Sequence, residues 1–221
     1  MNTLIAITSY EKARQAGWHE AIRQTWLKDL DPTKADVAFI VGRDAVGGLD
    51  SDELRLDVGD GYTDVTNKVI ESTRWALNQG YDRIFRTYPD VYIRPERLLA
   101  ALKNDYADKS YIGHPMMGLN GVPYASGGAS YWIGAQESKY LLNTMVPYDW
   151  ADDRWVGNVM RTNGVTLWSD FRYSPIARPP LLRNDNITSH LSRPNEDGKP
   201  GTYNPQWMYN THKFWTLSQG V

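Results

Sequence analysis

The stretch LIAITSYEKARQAGWHEAIRQTWLKDLDPTKADVAFIV, residues 4–41, decides the fold. Leu4-Ile5-Ala6-Ile7 is a short apolar run and reads as a first buried strand. Thr8 and Glu11 follow at capping-box spacing, so a helix is expected to start there. Within it Trp18, Ile22, Trp26 and Leu30 recur every fourth residue and make one apolar stripe, and Asp31-Pro32 ends it. Val37-Ala38-Phe39-Ile40-Val41 reads as a second buried strand, closed by Gly42.

The same alternation continues on the C-terminal side. Residues 43–64 read as an acidic loop, Val65–Asn78 as a helix that stops at Gly80, and Arg83–Thr87 as a third strand. Pro95 suits the first turn of a helix running to Leu102. Tyr111–Gly113 and Tyr131–Ile133 are short strands, the second preceded by the turn Ser126-Gly127-Gly128. Helices are expected at 137–143 and Asp152–Arg161, and a strand at Val165–Trp168. From Pro175 onward the chain is rich in Pro and Asn and reads as loop. Strands alternating with helices predict a mainly parallel sheet covered on both faces. Ligands of such sheets sit beyond the carboxyl ends of the strands, so the loops after Ile7, Val41 and Thr87 share one mouth.

Composition narrows the chemistry. At 221 residues the chain can bury one sizeable α/β domain. A net charge of −2 gives no global basic field of the kind that drives nonspecific nucleic-acid binding. The absence of cysteine excludes disulfides, thiolate metal sites and a cysteine nucleophile. No stretch has the length of a membrane span, and the first residues lack the basic and apolar regions of a signal peptide, so no membrane insertion and a cytoplasmic location are expected. Nine Trp and 14 Tyr supply rings for the core or for stacking on sugars and bases.

Four segments carry a further pattern. They are Ala21-Ile22-Arg23-Gln24-Thr25-Trp26; Asp57 through Lys68, with Asp60, Tyr62 and Thr66 inside it; Arg86-Thr87-Tyr88-Pro89-Asp90-Val91; and Tyr124-Ala125-Ser126-Gly127-Gly128 paired with Asp152-Asp153-Arg154-Trp155-Val156-Gly157. In order and spacing these resemble the β-1,3-glycosyltransferases of family 31, the galactosyltransferase and fringe-like group, over roughly Leu4 to Trp168. The resemblance implies a GT-A, Rossmann-like nucleotide-binding single domain: a central mixed, mostly parallel sheet flanked by helices, with a core over residues 1–174 and a loop-rich lid or tail at 175–221. It implies an inverting transferase that moves a sugar from UDP-sugar or a similar donor to a hydroxyl.

A departing diphosphate gains negative charge, so cations at the mouth are wanted. Arg23, Lys68 and Arg86 are the candidates, with Thr8 and Asp90 completing the donor set. Helix-surface or structural ion pairs compete for all three cations. The family holds Mn²⁺ with three acids; here Tyr88 and Pro89 replace the first two and only Asp90 remains. One carboxylate holds Mn²⁺ or Mg²⁺ weakly. Either His190 joins Asp90 as a metal ligand, with His212 and His114 behind it, or Arg86 and a basic tail take the place of the cation. Asp153 is the expected base that removes the acceptor proton, with Asp152 orienting beside it. Acids at the start of a helix are also common caps. Ser126, Gly127, Gly128 and Trp155 are the acceptor-side residues.

The acceptor is either a glycan or a hydroxymethylated DNA base, the latter as in phage DNA modification. Residues 172–221 hold six Lys/Arg against three Asp/Glu, with Trp207 and Trp215 interleaved. Loss of the acidic triplet also leaves open a carbohydrate- or nucleotide-binding descendant without catalysis. Oligomeric state is not legible.

Overall fold

The structure, a computed structural model, describes residues 2–118, 121–175, 183–191 and 204–218. In chain order its elements are β1 (Thr3–Thr8), α1 (Glu11–Gln15), α2 (Trp18–Arg23), β2 (Asp36–Val41), β3 (Glu53–Arg55), α3 (Val65–Asn78), β4 (Arg83–Thr87), β5 (Val91–Ile93), α4 (Pro95–Asn104) and β6 (Tyr111–Gly113). Then come β7 (Pro115–Met117), β8 (Pro123–Ala125), β9 (Tyr131–Gly134), α5 (Ala135–Leu142), α6 (Asp152–Thr162), β10 (Trp168–Ser169), β11 (Tyr173–Ser174), β12 (Thr188–His190) and α7 (Gln206–Ser218).

Every residue of β1 is buried, because the strand is central and both its faces are covered. Ile5 and Ile7 point into one apolar layer with Trp18, Ile22, Trp26 and Phe39. Leu4 and Ala6 point into the opposite layer with Ile40, Val69, Val156 and Val159. The seven-stranded sheet runs β10-β6-β9-β4-β1-β2-β3. All its pairs are parallel except those made by β9, which lies antiparallel between β4 and β6. This is the mixed, mostly parallel α/β arrangement that was expected. The carboxyl ends of β1, β2, β4 and β6, with the start of β9, meet at one mouth.

Four local expectations need correction. The single helix expected over residues 8–30 is two short helices and a turn of 3₁₀ helix at Trp26–Asp29. Gly17, at φ +87°, breaks the first from the second, and Tyr10 rather than Thr8 holds the N-cap position. The apolar stripe is buried all the same. The acidic loop 43–64 contains β3, which extends the parallel sheet beside β2. The strand expected at Val165–Trp168 is confined to Trp168–Ser169. The tail is not simply loop: β12 pairs antiparallel with β5, and α7 is a 13-residue helix whose Met208 and Trp215 join the core. Residues 192–203 of that tail lie outside the described residues.

Gly157 shows why α6 can lie against β8. A Cβ there would overlap the Cβ of Tyr124. Gly157→Ala would gain up to about 1 kcal/mol of helix propensity. The overlap costs roughly 1–3 kcal/mol, since two packed backbones must move apart. The variant is expected to melt several degrees below wild type in a thermal unfolding scan; a raised melting temperature would contradict this packing.

Candidate active site at the sheet mouth

The mouth is built on the N-terminus of α6. Asp152 and Asp153 occupy its first turn, where the unpaired N–H groups favour negative charge. Asp153 is half-buried and its Oδ2 accepts the Gly127 N–H at 2.9 Å. Asp152 is buried and accepts a hydrogen bond from the Tyr88 hydroxyl. Burial, reinforced by the Asp153 charge, pushes the Asp152 carboxyl up to about 7. Burial also raises Asp153, against the Gly127 and Arg154 N–H groups that favour its ionised form. Two acids side by side titrate as a pair, and the buried member holds its proton more readily.

Ser126-Gly127-Gly128 closes over these acids. A Cβ on Gly127 would come within 3.2 Å of the Asp153 Cβ and 3.3 Å of the Tyr88 ring, and one on Gly128 within 3.1 Å of the His190 ring. The glycines therefore let the loop approach side chains of the site, not only a sugar. The Ser126 N–H bonds the His114 carbonyl at 2.8 Å, which ties the loop to the end of β6. Ser130 is the one non-glycine residue at positive φ among those described, at φ 73° and ψ 159°, a region nearly reserved for glycine and costing about 1–3 kcal/mol. Its hydroxyl lies 2.8 Å from that of Thr87 at the end of β4, so the strained turn is pinned to the sheet.

Asp90 and His190, a hundred residues apart, are brought together: Nε2 lies 3.2 Å from Oδ2. The pairing of β5 with β12 places Val91 opposite His190 and carries the two side chains to one edge. Of the weaker histidines, His114 stacks edge-on against Phe171 and His212 bonds the Tyr92 hydroxyl at 3.0 Å. Among the described residues no group of three or more His, Asp or Glu forms a ready-made metal cage. One carboxylate and one imidazole suit Mn²⁺ better than Mg²⁺, and the remaining positions would fall to diphosphate oxygens and water. The donor set fits a cation shared with the substrate.

The three candidate cations are placed differently from expectation. Arg23 binds Asp52 at 2.6 and 3.0 Å, Glu53 at 3.2 Å and Asp50 at 2.9 Å, and lies over the Phe39 ring. It ties α2 to β3. Lys68 is buried and gives its ammonium to the Ser9 carbonyl at 2.6 Å and to Asp60 at 2.5 Å. Asp60 in turn accepts the N–H groups of Gly42 and Glu11, at 2.8 and 2.5 Å, so this pair knits the loops after β1 and β2. Arg86 is buried against α3 and donates to the Val69 carbonyl at 3.1 Å, the Ser72 hydroxyl at 3.2 Å and the Thr73 hydroxyl. With both terminal nitrogens donating to α3, it does not replace a cation at the mouth, and its charge favours the ionised form of Asp152. Thr8 is buried at the end of β1. Trp155 is 2 % exposed and packs in the core, so its ring is not offered to an acceptor.

Tyr88 was visible in the sequence only as a missing acid, and its contact with Asp152 was not foreseen. Nor was the buried chain from Ser9 through His19 to Glu53, with both links at 2.7 Å, which braces β1, α2 and β3. Ser9 directly follows the strand-end Thr8, which was its one sequence signal.

Residues 18–126 match the galactosyltransferase family model. No curated protein matches the sequence. Solved structures with a similar fold include a protein from Desulfovibrio desulfuricans G20 described as a nucleotide-diphospho-sugar transferase, at 13 % identity over 76 % of this chain and 79 % of that one, TM-score 0.45. Another is the galactosyltransferase LgtC with donor and acceptor sugar analogs, at 12 % identity over 97 % and 96 % of the two chains, TM-score 0.47. An active-site variant of LgtC aligns at 13 % identity over 95 % and 94 %, TM-score 0.47. Among the described residues no helix is long and apolar enough to cross a membrane.

Proposed function

We propose that this chain, whose residues 18–126 match the galactosyltransferase family model, is a glycosyltransferase that inverts the sugar it transfers, taking it from UDP-sugar or a similar nucleotide sugar to the hydroxyl of a glycan. The observation that carries the reading is Asp153, a half-buried carboxylate fixed by the Gly127 N–H at the mouth beside a second acid. In the transfer, Asp153 takes the proton of the acceptor hydroxyl as its oxygen bonds the anomeric carbon. The bond from that carbon to the diphosphate breaks, and the diphosphate leaves with the electron pair. Attack from the face opposite the leaving group inverts the centre.

Asp90 and His190 would hold Mn²⁺, which supplies Lewis-acid stabilisation of the leaving diphosphate when bound. The tail from residue 175 is read as a lid over the donor, with β12 as the fixed part that delivers His190. A cytoplasmic setting goes with this reading.

The test uses UDP-galactose, UDP-glucose and UDP-N-acetylglucosamine with a panel of simple saccharides. UDP release should accompany a β-linked product, read from its anomeric proton coupling; an α-linked product would overturn inversion. EDTA is expected to lower turnover at least about tenfold, with recovery on adding Mn²⁺. Turnover indifferent to EDTA would remove the Asp90–His190 cation site. Tyr88 and Pro89, standing where the family has acids, favour a second reading, a binding module that keeps the donor without using it. UDP-sugar binding without hydrolysis or transfer would select that one.

A further inference from the structure

Three large aromatic side chains are left in solvent beside the acid pair. Tyr62, on the turn that enters α3, is 77 % exposed, and Trp150, two residues before Asp152, is 47 % exposed. Tyr148 is exposed in the same loop. The Tyr62 and Trp150 rings meet with centroids 5.4 Å apart and planes tilted by 50°. Their loops are fastened together: the Thr66 hydroxyl donates to the Asp149 carbonyl at 2.6 Å, and the Tyr148 hydroxyl to the Thr63 carbonyl at 2.5 Å. Fastened loops hold the exposed rings in place, which costs hydration and gains nothing for the core. Burial, and after it the negative charges of Asp152 and Asp153, raise the pKa of the Tyr62 hydroxyl. Asp149 and Arg154 also line an open cleft of about 410 Å³ with Tyr124 and Asn158, within the size range of ligand sites.

We propose that Tyr62 and Trp150 form the stacking platform for the acceptor, and that this acceptor is an uncharged saccharide. The proposal rests on the glycosyl-transfer reading and specifies its second substrate. A sugar ring presents an apolar face of C–H groups, and a pair of fixed aromatic rings is the surface that binds it. Charge selects against nucleic acid. The two loops carry Asp57, Asp60, Asp64, Asp149, Asp152 and Asp153. Lys68 is committed to Asp60 at 2.5 Å and Arg154 to Asp149 at 2.5 and 2.8 Å, which leaves Arg161 on the cleft wall against these carboxylates. A phosphate backbone needs free Lys and Arg at its contact surface.

Saturation-transfer NMR with methyl β-galactopyranoside, lactose and chitobiose tests the platform on wild type, Tyr62→Ala, Trp150→Ala and the control Phe214→Ala. Phe214 is an exposed ring on α7. Binding of at least one saccharide should weaken about five- to tenfold in each platform variant and hold in the control. UDP binding by calorimetry, and binding of an oligonucleotide bearing 5-hydroxymethylcytosine, are measured alongside. Unchanged saccharide binding in both platform variants overturns the proposal. So does wild type that binds none of the three, wild type that prefers the oligonucleotide, or variants that lose UDP instead. Saccharide binding lost in the variants, from a wild type that transfers no sugar, leaves the platform standing and sinks the transfer reading.

Discussion

Asp153→Asn is expected to lower transfer by about 10²–10⁴-fold while donor binding holds, because an amide keeps the shape and loses the base. The amide oxygen of the variant side chain can still accept the Gly127 N–H that Asp153 accepts at 2.9 Å, so the Ser126-Gly127-Gly128 loop keeps its anchor. The measurement is kcat at saturating donor, with UDP affinity by calorimetry on the same preparation. A fall in kcat alone marks a group used in the transition state. In the wild-type enzyme the acid limb of the pH profile should lie above the ordinary carboxylate range, since burial raises Asp153 and activity is lost as the base is protonated. Full kcat in Asp153→Asn would remove this residue as the base, and Asp152 would have to take its place.

The second large effect is on stability, and it comes from Asp152. Its carboxyl rises from an ordinary value to about 7 on folding, first because it is buried and then because Asp153 lies beside it. A raised acid binds its proton more tightly in the folded chain than in the unfolded one. Below about pH 4 both states are protonated and the group is neutral in the balance. As pH rises from there to 7 the unfolded chain ionises freely and the folded chain does not, so stability falls. Above 7 the ionised Asp152 costs on the order of 4 kcal/mol. Asp152→Asn carries no such charge and can still accept from the Tyr88 hydroxyl. At pH 8 it is expected to melt roughly 10 °C above wild type, and at pH 4 at nearly the same temperature. Melting curves across pH 4–8 decide it: a variant as pH-dependent as wild type would show that the buried acid is not the cause. A buried carboxylate retained at such a cost is what a site does when charge is needed there.

Much of the frame was written locally. The unbroken apolar run of β1, the end of α3 at Gly80, Pro95 at the head of α4 and the acids at the head of α6 each depend on a few neighbouring residues. Where local signals compete, tertiary packing decides between them. Trp18, Ile22, Trp26 and Leu30 keep a helical period and are buried, yet Gly17 and the 3₁₀ turn divide the segment, since burying the stripe does not require one continuous helix. β3 was hidden because its acid, Glu53, is buried only through pairing with Arg14, His19 and Arg23, while Arg55 is exposed on an edge strand. α7 was hidden by a low-contrast pattern in a Pro- and Asn-rich context.

The cations show the limit most clearly. Arg23, Lys68 and Arg86 are each positively charged and near the expected mouth, and a sequence cannot say which carboxylates or carbonyls will fold against them. Asp52, Asp60 and the hydroxyls of α3 decided that, and they turned three candidate phosphate binders into braces. The converse holds for Asp90 and His190, whose meeting depends on an antiparallel pair between strands nearly a hundred residues apart.

By itself the sequence determined the α/β frame, the side of the sheet on which a ligand is held, and the acid pair at the head of α6. These follow from backbone preference and apolar periodicity, which act over a few residues. Only the tertiary structure decided that Tyr88 caps Asp152, that the arginines and the lysine are spent inside the fold, and that Tyr62 and Trp150 stand together in solvent. Those outcomes are set by which distant groups desolvate one another, and no spacing in the chain encodes that directly.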